Sequence, residues 1–240
     1  MTAQRSLPPA SPERMWHRRR RLLSAVMTLI LLLLALLVVT LRDATSPPTP
    51  STVQQHLEGP PWRHGVANAR FTVVLYADLE CPYCQAYFPE LYRWIDTTSD
   101  VNLQWHHLPL TKHEPAASRQ ASLAECVGQA GGHKAFWSAV QWIYTYTRTG
   151  GQGVSDLEAF PDASQAIHTC LSSGEAMSLV QTQAHEAITS GITATPSLRL
   201  IDNHSGQSLL LPGPVPGDVL LSAIDMLSSP IAEEDHPDVQ

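Results

Sequence analysis

Cysteine is scarce in this sequence, and its distribution argues against a structural zinc site. The 240 residues contain four cysteines, of which two form a single Cys-x-x-Cys pair. A zinc site of this type normally takes a second pair, whereas Cys126 and Cys170 stand alone. Three histidines could complete a ligand set, although such histidines are more often packing or surface residues: His106, His107 and His113. We therefore expect no metal ion and no other cofactor.

Positive charge is also lacking over most of the chain. The net charge is −7, but residues 1–21 carry +5, from six arginines against Glu13, so that the remaining 219 residues carry −12. The basic cluster directly precedes an apolar segment, and this placement indicates a role in membrane topology rather than in binding nucleic-acid phosphates. We therefore expect no nucleic-acid partner.

That apolar segment, residues 22–41, predicts a transmembrane helix. Only one serine and two threonines interrupt it, and its 20 residues are about the number needed to span a bilayer. The preceding arginines predict a cytoplasmic N-terminus (residues 1–21) and a C-terminal part in the periplasm, anchored to the inner membrane by a single pass. A cleaved signal peptide is the alternative. Its apolar core is usually about 7–15 residues long, however, and no small-x-small cleavage site precedes Asp43.

The rest of the chain divides into a linker, a domain and a tail. Residues 42–64 are rich in proline and predict an extended linker. Residues 65–228 predict one α/β domain: two strands, a helical stretch over about 114–190, then two more strands and a last helix. Residues 229–240 are acidic, without an apolar pattern, and predict a disordered tail.

The stretch Cys81-Pro-Tyr-Cys84 is the strongest functional signal. It follows an apolar run, Phe71-Thr-Val-Val-Leu-Tyr-Ala77, that predicts a buried strand, and it precedes a helical pattern reaching about Thr97. Cys81 therefore belongs at a helix N-terminus, where unpaired N–H groups and the helix dipole favour a thiolate. Cysteines so placed have pKa values lowered from about 8.5 to roughly 3.5–7.5. Cys84, one turn on, could attack a mixed disulfide held on Cys81.

At this point the sequence resembles the DsbA-like branch of the thioredoxin superfamily, particularly its thioredoxin-4 type members. The resemblance covers about residues 65–228. It depends on Gly65 with Ala69, on the stretch from Tyr76 to Cys84, on Leu108-Pro-Leu110 with His113, on Cys170-Leu-Ser-Ser-Gly-Glu175 and on Gly191-Ile-Thr-Ala-Thr-Pro-Ser197. It implies a thioredoxin-like fold with an inserted helical subdomain.

The resemblance also implies roles for particular residues. Thr195-Pro196 should have a cis peptide bond and face the cysteine pair, so that these two residues join Cys81 and Cys84 in the catalytic site; an ordinary trans turn is the alternative. Some relatives have a non-catalytic disulfide where Cys126 and Cys170 lie; two unrelated buried thiols are the alternative.

One position departs from the family pattern. Many relatives carry a buried acid six residues before the first cysteine, where it accepts a proton from the resolving thiol, and here that position is Leu75. Asp78 or Glu80 could substitute through water. We expect both instead to be solvated loop acids.

These features together predict a membrane-anchored periplasmic thiol–disulfide oxidoreductase that oxidises cysteines of exported proteins through Cys81 and Cys84. A quinone-linked membrane protein would reoxidise it. Residues 43–64 are too short for a dimerisation domain, which favours a monomer. A reductase or isomerase of the same fold is one alternative, and a redox-inactive binding or assembly factor for exported proteins is another.

Overall fold

A mixed five-stranded sheet forms the centre of the computed structural model, which describes residues 59–161 and 163–229 together with Met27 and Leu29. The strands are β1 (Arg63–Gly65), β2 (Phe71–Ala77), β3 (Val101–His107), β4 (Ser197–Asp202) and β5 (Ser208–Pro212). Their order in the sheet is β1-β3-β2-β4-β5. β2 and β3 are parallel, and every other neighbouring pair is antiparallel.

Helices connect and cover the strands. They are α1 (Pro82–Thr97), α2 (Ala116–Tyr146), α3 (Gln165–Ser173), α4 (Glu175–Thr189) and α5 (Gly217–Ser228). α2 is broken at Gly132, whose φ of 74° lies in the left-handed region, so the Gly131-Gly132 pair separates two helical segments. α2, α3 and α4 all lie between β3 and β4 in the chain, which is the helical insertion of this thioredoxin-like fold.

β2 is buried on both faces, which explains its unbroken apolar sequence. Val73 and Leu75 point into the main core, whereas Val74 and Tyr76 point into a smaller core that includes Ala187 of α4. Alternate residues of a strand face opposite sides of the sheet, so both sides here need apolar residues. The strand is thereby fixed in place, and its C-terminal end carries the turn that leads to Cys81.

The predicted linker is wrong at its C-terminal end. Trp62 is 1% exposed and stacks on Phe136, with ring centroids 4.9 Å apart. Arg63–Gly65 forms β1 and pairs with β3. A three-residue strand after two prolines has no detectable periodicity, so only its tertiary contacts reveal that it belongs to the domain.

Other predicted segments lie outside the described residues. The predicted transmembrane helix, 22–41, does so except for the helical Met27 and Leu29, and the predicted acidic tail, 229–240, does so except for Ser229. Within the described ranges, no helix is long and apolar enough to cross a bilayer.

Cys126 and Cys170 form a disulfide that joins α2 to α3. Their Cα atoms are 5.6 Å apart, which is the usual spacing for a bridged pair. The structural disulfide expected from the family resemblance is therefore confirmed, and the alternative of two separate thiols is wrong. The bridge secures α3, a short helix with one fully buried residue, against the longer α2.

The burial of Trp62 generates a test of the domain boundary. Replacing Trp62 with Ala should lower the free energy of unfolding by about 3–5 kcal/mol, because a large buried side chain leaves a cavity between β1 and α2. Urea denaturation followed by far-ultraviolet circular dichroism measures this difference. The exposed Val66→Ala is the control and should change stability by less than about 0.5 kcal/mol. A similarly small effect of Trp62→Ala would contradict the packing described here.

Candidate active site

Cys81 is the residue that immediately precedes the first turn of α1. Its backbone is extended, and its N–H donates to the carbonyl oxygen of Asp78 at 3.1 Å, closing a tight turn after β2. Pro82 then starts the helix, where its missing N–H costs no hydrogen bond. The N–H groups of Tyr83 and Cys84 are consequently left free to point at the Cys81 sulfur.

These surroundings strongly favour the thiolate of Cys81. A hydrogen bond from the Cys84 thiol is the largest cause, and together with the Thr195 side chain and the helix N–H groups it lowers the pKa of Cys81 to about 5. Burial opposes this shift but does not prevent it. At neutral pH, Cys81 is therefore almost fully ionised.

Cys84 has the opposite character. It is 1% exposed, and burial followed by the hydrogen bond and charge of Cys81 raises its pKa well above the ordinary value for a thiol. Both cysteines are free in the structure. The pair therefore holds one proton, on Cys84, and one negative charge, on Cys81. Cys81, itself only 3% exposed, is therefore the nucleophile of the pair, and Cys84 is the thiol held in reserve.

The loop before β4 completes the surroundings of Cys81. The Thr195–Pro196 peptide bond is cis, so that expectation is confirmed and the alternative of a trans turn is wrong. The Cys81 sulfur lies 3.4 Å from the carbonyl oxygen of Thr195, to which its thiol form donates. The buried Thr195 Oγ1 has no hydrogen-bond partner of ordinary geometry among the described residues. Because this side chain lowers the pKa of both cysteines, its hydroxyl is available to whichever sulfur is charged.

Asp78 is buried rather than solvated, which corrects one expectation from the sequence. Its side chain accepts hydrogen bonds from the N–H groups of Glu80 (2.7 Å) and Leu110 (2.8 Å), and Nδ1 of His113 lies 2.7 Å from Oδ2. Burial raises the pKa of Asp78, and these donors limit the shift. The carboxyl group thus holds the redox turn, residues 78–81, against the loop that follows β3.

Glu80 is also buried, at 0% exposure, so that the second solvated acid is likewise a wrong expectation. Its Oε1 accepts from Gln120 Nε2 at 2.6 Å and from the Thr147 hydroxyl. Its Oε2 accepts from the N–H groups of Gly151 and Gly153, both at 2.9 Å. All of these donors come from α2 and the segment that follows it, which closes over the redox turn. These four hydrogen-bond donors offset the cost of burying the Glu80 side chain without a neighbouring cation.

The other residues considered in the sequence, Leu75 and three histidines, do not form a common site. Leu75 lies in the main core, so the usual position of the buried acid is apolar here. His113 contacts Asp78, His107 contacts Glu125 at 3.0 Å, and His106 contacts the carbonyl oxygen of Gln183 at 2.8 Å. The described residues contain no cluster of three metal-ligating side chains.

Three residues of the site were not predicted from the sequence: Tyr144, Gln120 and Thr147. They lie 36 or more positions after Cys84 in the chain, in α2 or directly after it. Their apolar surroundings in the sequence indicate only a helical core. A buried polar residue in a helix gives no local sign of which distant turn it meets.

The thioredoxin-like fold, the asymmetric cysteine pair and the adjacent cis-proline define a class of protein, the thiol–disulfide oxidoreductases. The family model Thioredoxin_4, described as thioredoxin, matches residues 58–209. The chain belongs to this family, and within it to the DsbA-like members.

Solved structures agree with this assignment. DsbA2 of Pseudomonas aeruginosa is 42% identical, with a TM-score of 0.66, and the match covers 72% of this chain and 97% of that one. α-DsbA1 of Wolbachia pipientis is 20% identical, with a TM-score of 0.56 and coverage of 69% and 89%. A thioredoxin-like oxidoreductase from Silicibacter pomeroyi DSS-3 is 22% identical, with a TM-score of 0.55 and coverage of 71% and 92%. The latter two matches show the fold alone.

A shorter similarity involves a much longer protein. An 84-residue segment is 38% identical to the Na(+)/H(+) antiporter NhaA 3 of Salinispora tropica. The segment amounts to 35% of this chain and 12% of the antiporter. The chain therefore spans a small part of that relative's length.

The charge distribution at the cysteine pair generates a pH test. In the reduced protein, the ultraviolet absorbance of the thiolate should titrate with a midpoint near pH 5, the pKa of Cys81. The unfolded chain keeps its thiol protonated to a higher pH, so the reduced form should gain stability as the pH rises from about 5 towards 9 and lose it as the pH falls through 5.

Thr195→Ala should move that midpoint upwards, because it removes one of the groups that stabilise the charged sulfur. Thr182→Ala, on the exposed side of α4, serves as the control and should leave it unchanged. A midpoint near 9 in the native protein would contradict the site described here.

Proposed function

We propose that this oxidoreductase is a membrane-anchored periplasmic oxidase that forms disulfides in exported proteins through Cys81 and Cys84. The observation that carries the proposal is the low pKa of Cys81. A thiolate stabilised in the reduced form makes the disulfide form relatively unstable, and therefore a good oxidant. The same thiolate is a good leaving group in the second step of exchange.

The reaction begins with the Cys81–Cys84 disulfide. A substrate thiolate attacks the Cys81 sulfur, a bond forms between these two sulfurs, and the bond between the cysteines breaks with its electron pair on Cys84. A second substrate thiolate then attacks the substrate sulfur of this mixed disulfide and expels the Cys81 thiolate. Cys84 takes up a proton lost by a substrate thiol. Two substrate thiols are thereby oxidised to one disulfide, and the protein disulfide is reduced to one thiolate and one thiol.

The architecture around the pair suits this sequence of attacks. Both cysteines are nearly buried, at 3% and 1% exposure, but the Cys81 sulfur contacts the cis-proline loop at the Thr195 carbonyl, so a substrate bound at that loop meets Cys81 first. Tyr83, two positions after Cys81, is 69% exposed, and the backbone of Thr195 contacts the Cys81 sulfur. A peptide next to the cis-proline loop can pair with the backbone of Thr195, which would present the substrate sulfur to Cys81.

Location and partners complete the proposal. The apolar segment 22–41 after an arginine cluster supports an inner-membrane anchor, with the oxidoreductase domain on the periplasmic side. The substrates are cysteine-containing proteins in transit through that compartment. Because each turnover leaves the protein reduced, a membrane partner linked to quinones would accept its electrons. Nothing in the proposal requires a second copy of the chain.

The central test is turnover with a dithiol peptide. Native protein should oxidise the peptide, and Cys81→Ser should lose at least about a hundredfold in rate, because the attacked sulfur is gone. The paired variant Cys126→Ala/Cys170→Ala, which lacks the other disulfide, is the matched control and should retain turnover below its unfolding temperature. Turnover by Cys81→Ser, or none by native protein, would contradict the proposal.

Equilibration with glutathione tests the direction of electron flow. We expect a reduction potential well above that of thioredoxin, which is about −270 mV. A potential near the thioredoxin value would identify a reductase instead. The measurement requires the ratio of dithiol to disulfide at several glutathione ratios, read after acid quenching and alkylation.

A further inference from the structure

Tyr144 brings a phenol hydroxyl from the helical insertion to the inner side of the redox turn. It is 5% exposed and packs against Phe88 and Trp105, with ring centroids 5.4 and 6.4 Å away. Its hydroxyl donates to the carbonyl oxygen of Asp78 at 3.2 Å. The same carbonyl accepts the N–H of Cys81, so the phenol contacts the turn that positions the reactive pair.

A second contact holds Tyr144 against the first turn of α1. The side chain of Gln85 donates to the Tyr144 carbonyl oxygen at 2.7 Å, and Gln85 directly follows Cys84. The hydroxyl is close enough to Cys84 that a charge on this sulfur bears on the phenol. Burial first, and then the charge of Cys84, raise the pKa of Tyr144 well above its ordinary value. The phenol therefore remains a hydrogen-bond donor at every working pH.

We propose that Tyr144 is a further catalytic residue, whose hydroxyl turns from the carbonyl of Asp78 to Cys84 and donates a hydrogen bond to the charge that appears there when the disulfide opens. The inference rests on the proposed roles of Cys81 and Cys84 and adds a residue to that site. No covalent bond to Tyr144 forms and its proton does not leave it.

The step in question is the opening of the protein disulfide. The substrate thiolate forms its bond to Cys81 while the bond between the two cysteines breaks, and the electron pair goes to the Cys84 sulfur. That sulfur is buried, so its negative charge needs donors within the protein. The Asp78 N–H and the Thr195 side chain are two of them. Tyr144 is the third, and it is the one that comes from the insertion.

Because this charge is transient, Tyr144 affects the rate at which the disulfide opens. Cys84 is uncharged in the disulfide form, and in the reduced form it keeps its proton while Cys81 carries the charge. Tyr144 can therefore donate to Asp78 in both end states, and the charge on Cys84 that it would stabilise is present only while the mixed disulfide forms and persists. An interaction of this kind lowers the barrier and leaves the equilibrium unchanged.

The experiment measures how fast glutathione opens the oxidised protein. In Tyr144→Phe, the pseudo-first-order rate constant at neutral pH, from acid quenching and alkylation, should fall about tenfold, because the developing charge loses one hydrogen-bond donor. The equilibrium constant with glutathione should stay within about twofold of the native value, since the end states are unaffected.

Two matched tyrosines separate this role from a structural one. Tyr87 is buried and also donates to a backbone carbonyl, that of Val215, at 2.7 Å. Tyr146 is 57% exposed two positions after Tyr144. Tyr87→Phe and Tyr146→Phe should each keep the native opening rate within about twofold. A drop in Tyr144→Phe no larger than that in Tyr87→Phe would overturn the proposal.

A second comparison removes Cys84 itself. In a Cys84→Ala background, the reaction of the Cys81 thiolate with glutathione disulfide places no charge at position 84, so adding Tyr144→Phe should change its rate by less than about twofold. An effect that persists there, or an equilibrium constant that changes in proportion to the rate, would reduce Tyr144 to a structural residue and overturn the proposal. Loss of turnover in Cys81→Ser alongside a normal Tyr144→Phe rejects this inference alone.

Discussion

The hydrogen bond between the two cysteine sulfurs is the interaction on which the site depends. It is the largest cause of the low pKa of Cys81, and after burial it is the next cause of the raised pKa of Cys84. Helix geometry makes it possible, because Cys81 lies just before α1 and Cys84 in its first turn. Without this bond, the N–H groups of α1 would still stabilise the Cys81 thiolate, but the pKa values of the two cysteines would differ less. The asymmetry between an ionised Cys81 sulfur and a protonated Cys84 sulfur determines which of the two reacts first.

Two buried carboxyl groups hold the turn that makes this geometry. Asp78 fastens it to the loop after β3, and Glu80 fastens it to the end of α2 and the following segment. Two buried acids beside a thiolate would be unfavourable if their oxygens were unpartnered. Their oxygens are directed instead at N–H groups, an amide and a hydroxyl. The helical insertion therefore acts as the second half of the active site, and its contribution reaches the sulfurs through Tyr144.

The parts of this arrangement that are local in sequence could be predicted from it. A β-branched run, a Cys-Pro-Tyr-Cys stretch and a helical period predicted β2, the redox turn and α1, while resemblance to a family identified the cis-proline and the structural disulfide. Residues whose role depends on distant contacts could not be found in this way. Trp62 was assigned to the linker because β1, which follows it, is too short to show an alternating apolar pattern. Asp78 and Glu80 were expected to be solvated because these partners are 32 to 73 positions away in the chain. Burial is a property of the assembled fold, and loop acids carry no local sign of it.

The most direct measurement of the central claim is the order in which the two sulfurs react. Reduced native protein would be treated with limiting iodoacetamide at neutral pH, and the alkylated peptides quantified by mass spectrometry. Because Cys81 is ionised while Cys84 keeps its proton, and only the thiolate is alkylated rapidly, the label should fall almost entirely on Cys81. Equal labelling of the two cysteines, or preferential labelling of Cys84, would contradict the account.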